Sequence, residues 1–292
     1  MVISNIIGGL GNQMFQYAAG RALSLRLGVA LKLDTSGFLG YKLHQGFELK
    51  RLLNCDAEIA SEHDLKNVLG WQHSQLAKRF LRKPPLKIFR KKNLVVEPSF
   101  NYWDGLRQLN DCVYLDGYWQ SERYFNDYAE IVRNDFSFNL PFSDQNLVLA
   151  HKISSVNSVS LHVRRGDYVT NAKNAFIGSC PLNYYEKAIS FIKSSIQTPL
   201  FFVFSDDINW VKSNLKLDAS AVLVNHNDGS ESYNDMRLMS MCKHQIIANS
   251  SFSWWGAWLN ENQNKIVIAP KKWFATDKFD SSDLLPPSWI RL

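Results

Sequence analysis

The chain has 292 residues, 46% apolar and 21% charged, which is enough for a sizeable core and for two domains of roughly 150 residues, and too little charge for a chain held disordered by it. Lysine and arginine number 33 against 27 aspartate and glutamate, a net charge of +6, which favours phosphate-bearing or anionic-membrane partners without choosing between them. Apolar runs such as residues 200–204 stop far short of the ~20 residues a spanning helix needs, and the first residues lack a basic-then-apolar leader, so neither a transmembrane segment nor a signal peptide is expected.

Residues 2–7 read as a buried strand, followed by the turn Gly8-Gly9-Leu10-Gly11-Asn12-Gln13. Residues 14–28 read as a helix, with Phe15, Ala18, Ala19, Ala22, Leu23 and Leu27 at helical spacing and Gly28 as its stop. Residues 29–34 return as a strand. This β–glycine loop–α–β order opens a Rossmann-like sheet. Residues 61–93 are helical in tone and end in a basic tract, 113–119 give a strand and loop, and 124–136 a helix. A second α/β pattern follows, with strands at 158–163, 200–205, 221–224, 245–248 and 265–269, and helices at 181–194, from 208, at 233–243 and at 251–259. Such alternation predicts parallel sheets with covered faces. A boundary is expected within 139–158, so the reading is α/β, two Rossmann-like halves with a cleft between them.

The glycine loop suits phosphate at a helix N-terminus, but it is neither a Walker loop nor a dinucleotide fingerprint, since Met14 stands where the third glycine belongs. A simple tight turn competes with the phosphate reading, although Asn12 and Gln13 add donors. The sharpest local signal is His162-Val163-Arg164-Arg165-Gly166-Asp167-Tyr168 just past a strand, where open α/β sheets bind ligands. Arginine grips phosphate bidentately; one of the pair can face a ligand while the other meets a carboxylate such as Asp167. Asp206-Asp207 and Asn249-Ser250-Ser251 close two further strands, with helix capping as the competing role. No Asp-x-Asp, H-x-x-x-H or C-x-x-C occurs, which argues against a dicarboxylate metal grip or a zinc site. The cysteines at 55, 112, 180 and 242 read as reduced thiols of a cytosolic protein. Trp119 and the group Trp254, Trp255 and Trp258 could stack on a sugar, with core packing as the alternative. Lys78, Arg79, Arg82, Lys83, Lys87, Arg90, Lys91 and Lys92 form an acid-free tract. Each such residue near anionic lipid is worth ~1 kcal/mol, so peripheral contact with the inner membrane face is expected, against a merely solvated basic face.

Four segments in this order, residues 8–17 (GGLGNQMFQY), 162–168 (HVRRGDY), 204–207 (FSDD) and 247–257 (IANSSFSWWGA), resemble the bacterial α1,2-fucosyltransferases of glycosyltransferase family 11, over nearly the whole chain. The resemblance implies a GT-B fold, with residues 1–150 as the acceptor-side domain and 151–292 as the GDP-fucose domain. It implies GDP-β-L-fucose as donor, inversion at the anomeric carbon, no metal or other cofactor, and galactosides of surface polysaccharides, of O-antigen type, as acceptors. By the same similarity Arg164 faces the pyrophosphate and His162 the guanine side. Asp235 reads guanine, Ser250, Ser251 and Phe252 line the phosphates, and Asn12 approaches the β-phosphate. Asp167 is a candidate base, with orientation of Arg164 or Arg165 as its competing role. Another GDP-sugar transferase, such as a protein O-fucosyltransferase, shares the general motifs; a basic nucleic-acid binder would use the tract and the aromatics.

Overall fold

A computed structural model describes residues 1–40, 44–171, 176–217 and 221–292, except the side chain of Asp167. The chain divides into two compact units, Met1–Asn139 with Ser282–Leu284, and Leu140–Ser281 with Leu285–Leu292. The division lies at the start of the expected interval, so residues 140–150 go with the second unit. The physical reason is helix Asp144–Ser155, started by the Ser143 side chain accepting from the Asn146 amide. Its Ala150 and Ile153 join Phe202 and Phe204 in one core of the second unit.

In the first unit β1 (Val2–Asn5), β2 (Leu31–Asp34), β3 (Glu58–Ile59), β4 (Leu94–Val96) and β5 (Val113–Asp116) form a parallel sheet in the order β3-β2-β1-β5-β4. Helix Leu10–Leu27 follows β1 and begins earlier than the periodicity predicts, so Gly11, Asn12 and Gln13 lie in its first turns rather than in a loop. Gly28 ends it at φ 65°, a left-handed position that glycine adopts without strain. Residues 61–93 break into short pieces that include helices Glu62–Leu69 and Gln75–Leu81 and the 3-10 helix Pro84–Phe89. Pro84 and Pro85 lack the amides that would continue an α-helix. β3 and β4 are too short to show a period in the sequence.

The second unit holds β6 (Asn157–Val163), β7 (Pro199–Ser205), β8 (Ala221–Val224), β9 (His244–Ile246), β10 (Val267–Ala269) and β11 (Ile290–Arg291), in the order β11-β10-β9-β6-β7-β8 and parallel throughout. Period-2 alternation sorts the core. Val159, Leu161, Val163, Phe201 and Val203 pack with Tyr184 and Ile192, while Phe202 and Phe204 pack with Leu238 and Met239. From β6 the chain winds to β7 and β8 on one side, then crosses back to β9 and β10 on the other. The strand order therefore reverses between β6 and β9, and α/β sheets bind ligands at the carboxyl ends beside such a reversal. All four cysteines are free thiols, and among the described residues no helix is long and apolar enough to cross a membrane.

Candidate active site

β6 and β7 run in register with Val163 opposite Ser205, so the next residues to meet are Arg164 and Asp206. Arg164 Nη1 lies 3.0 Å from Asp206 Oδ2, and the guanidinium sits 5.3 Å from the centre of the Tyr168 ring. Asp206 Oδ1 also accepts from the Arg165 amide at 2.8 Å. A Cβ on Gly166 would fall 2.5 Å from Asp206 Oδ2, so glycine there lets the carboxylate reach its arginine. Arg165 turns to Asp207 (3.4 Å) and over the Trp210 ring (4.3 Å). Asp207 meanwhile caps helix Ile208–Asn214 by accepting from the Trp210 amide. The two arginines thus take carboxylates from Asp206 and Asp207, partners that strand register reveals and linear spacing does not. The backbone of Asp167 lies in the short helix Gly166–Thr170; its side chain is outside the described residues.

The His162 ring lies 6.1 Å from that of Phe252, which brings the end of β6 to the start of helix Ser251–Leu259. Burial, with the Arg164 charge adding to it, pushes the His162 pKa down to about 3, so the imidazole is neutral. Its Nδ1 is buried and has no hydrogen-bond partner among the described residues. Ser250 accepts from the Phe252 amide and is the N-cap of that helix, so the capping role is real. Ser251 and Phe252 follow in its first turn, both half-buried. Asn249 donates to the Gly178 and Trp273 carbonyls at 2.8 and 3.0 Å and fixes the loop rather than facing a ligand. Asp235 lies in the first turn of helix Tyr233–Met241. Its Oδ1 accepts from Asn227 Nδ2 at 2.7 Å, and Asn227 is held in turn by Asn146. Burial raises the Asp235 pKa to about 7 against that hydrogen bond, with the Asp228 charge adding to the rise. A carboxylate so placed gains from any ligand that brings N–H donors.

In the first unit, Gln120 Nε2 donates to Asn12 Oδ1 at 2.8 Å, which leaves the Asn12 amide nitrogen as the donor end. Gln13, a candidate ligand donor by sequence, is instead buried and structural: it donates to the Gly8 and Gly46 carbonyls and accepts from the Glu48 amide. Lys78 is a second correction. It is buried, with Nζ 2.6 Å from Asp34 Oδ2 and 3.0 Å from the Tyr114 hydroxyl, so it cannot reach a membrane. Arg82 is likewise committed, its Nε and Nη2 bonding both Asp116 oxygens at 2.6 Å. Trp119, Trp254, Trp255 and Trp258 are buried in the core, which removes them as sugar-stacking surfaces. Among the described residues, no three His, Cys, Asp or Glu side chains gather as a metal-binding group.

Two parallel α/β units of this construction make a fold of GT-B type. The chain belongs to glycosyl transferase family 11, whose profile matches residues 106–292. It is 37% identical to an α-1,2-colitosyltransferase of Escherichia coli, over 100% of this chain and 99% of that protein. It is 35% identical to the O-antigen biosynthesis glycosyltransferase WbnK of Escherichia coli, over 99% of each. The crystal structure of the fucosyltransferase NodZ from Bradyrhizobium shares the fold, with a TM-score of 0.53 over 88% of this chain and 90% of that one at 15% identity.

Proposed function

We propose that the chain transfers L-fucose from GDP-β-L-fucose to the 2-hydroxyl of a terminal galactoside, with inversion, during assembly of an O-antigen-type surface polysaccharide. The observation that carries this reading is Arg164, fixed by Asp206 at the carboxyl end of β6 beside the strand reversal. The bond from the anomeric carbon to the β-phosphate oxygen breaks, its electron pair goes to GDP, and the sugar passes through an oxocarbenium-like state. Arg164, with donors at Ser250 and Ser251, stabilises the charge growing on the pyrophosphate, and Asn12 supplies a further donor at the β-phosphate. A preorganised donor of this kind is worth ~3 kcal/mol in the transition state, and arginine here takes the neutralising role that a metal would otherwise fill. Phe252 lines the phosphates, neutral His162 lies on the guanine side, and Asp235 accepts from guanine N1–H and N2–H. The acceptor oxygen attacks from the opposite face and gives up its proton. Asp167 has two assignments, accepting that proton or orienting Arg164 or Arg165.

A second reading, GDP-colitose as donor, is favoured by the 37% identity to a colitosyltransferase. Colitose is L-fucose without its 3-hydroxyl, so the two donors differ by one polar group. The test is incubation with each donor and a panel of galactosides in excess EDTA, with linkage read by NMR. An α1,2-fucosylated galactoside is the expected product. Use of GDP-colitose alone, another linkage, or activity lost on chelation and restored by Mn²⁺ would each overturn its part of the reading.

A further inference from the structure

The basic tract is not used by the reaction proposed above, and its side chains divide cleanly. Lys78 is buried on Asp34, while Arg82, its side chain 42% exposed, is held by its ion pair to Asp116. Arg79, Lys83, Lys87, Lys91 and Lys92 are exposed, and Arg90 is half-buried. On helix Gln75–Leu81 the buried side is Lys78 and Leu81. Leu76, Arg79 and Phe80, with Lys83 just past the helix end, recur at i, i+3, i+4 and i+7, the spacing of a single helical face. That face is open, with Leu76 70% and Phe80 54% exposed. The 3-10 helix Pro84–Phe89 buries none of its residues and leaves Ile88 82% and Phe89 60% exposed. Trp71, also exposed, follows Gly70, beside which the Lys91 ammonium lies. No acidic residue occurs in residues 70–93.

We propose that this face docks the protein peripherally on an anionic lipid surface. Cations meet the headgroups while Trp71, Leu76, Phe80, Ile88 and Phe89 enter the interfacial layer. The mixture of side chains selects lipid over other polyanions. Leu76 and Ile88 have no ring to stack on a base, as a single-stranded nucleic-acid surface requires, and exposed aliphatic carbon gains only from an apolar medium. Lys83 Nζ lies 5.4 Å from the Phe80 ring centre, so an apolar anchor and a headgroup contact share one spot.

The experiment is sedimentation with vesicles of phosphatidylcholine, with and without phosphatidylglycerol, at low and high salt. The full chain should bind only the anionic vesicles, and at least ~10-fold more weakly at high salt. Two variants separate the contributions: Lys87→Gln with Arg90→Gln, Lys91→Gln and Lys92→Gln, and Phe80→Ser with Ile88→Ser and Phe89→Ser. Each should weaken binding ~10-fold or more while keeping the wild-type thermal midpoint. If the triple variant loses stability, Ile88→Ser alone replaces it, since that side chain packs on little. Absence of binding at low salt overturns the proposal, as does an apolar variant that binds like wild type, which would mean charge adsorption alone. Tighter binding of a single-stranded oligonucleotide that displaces vesicles assigns the face to nucleic acid instead. A dimer in sedimentation velocity that the apolar variant abolishes assigns it to a second copy of the chain.

Discussion

Nucleotide affinity should depend on pH through Asp235. In the free protein this carboxyl has a pKa of about 7, raised by burial, with Asn227 as a neutral donor. On the proposed assignment guanine N1–H and N2–H bond the charged form, so binding draws the group to carboxylate and releases its proton. The sign follows: affinity rises with pH through about 7 and falls on acidification. At pH 6 about one carboxyl in eleven is ionised and at pH 8 about ten in eleven, so this group alone makes GDP bind ~10-fold more weakly at the lower pH. The terminal phosphate of GDP also titrates at about pH 6 and adds its own dependence, which Asp235→Asn isolates. Titration calorimetry at both pH values, in buffers of differing ionisation enthalpy, reads affinity and proton release together. At pH 8 the asparagine variant presents one donor where two acceptors are needed and should bind GDP weaker by ~2 kcal/mol or more; its remaining pH dependence should be that of the phosphate. Unchanged affinity at pH 8, or a wild-type pH profile in the variant, would refute the assignment of guanine to Asp235.

Arg164→Lys keeps the charge but loses the fork that, on the proposed reading, spans Asp206 and a phosphate, so turnover should fall ~100-fold or more in steady-state assays with an unchanged thermal midpoint; near-normal kinetics would remove Arg164 from the reaction. Lys78→Met leaves Asp34 buried without its cation, and urea denaturation should show a loss of about 3–5 kcal/mol. In the wild type, burial works to raise the Asp34 pKa, but Lys78 and bonds from Ser36 and Tyr114 outweigh it and hold it low. The stability this pair contributes is therefore present above the usual carboxylate pKa and lost as pH falls below it. A cost under ~1 kcal/mol for the substitution would contradict a structural role for Lys78.

Much of the architecture was legible in one dimension because it rests on local periodicity. Strand Ala221–Val224 and helix Ser251–Leu259 fall at the anticipated residues, since a short apolar run and a serine cap before an aromatic helix are self-contained signals. The strand-end position of His162 and Arg164 was legible for the same reason. The carboxylate that holds Arg164 was not, because Asp206 reaches it through the pairing of β6 with β7, and register between strands about 40 residues apart is a tertiary fact. The same holds for Asn146 and Asn227 behind Asp235. The basic tract makes the contrast sharpest. Composition alone determined that eight cations stand together without an acid. Only the fold decided which of them are taken up in ion pairs, because a buried carboxylate at the end of β2 or β5 must find a cation, and helix Gln75–Leu81 and the residue after it present Lys78 and Arg82 to those strands.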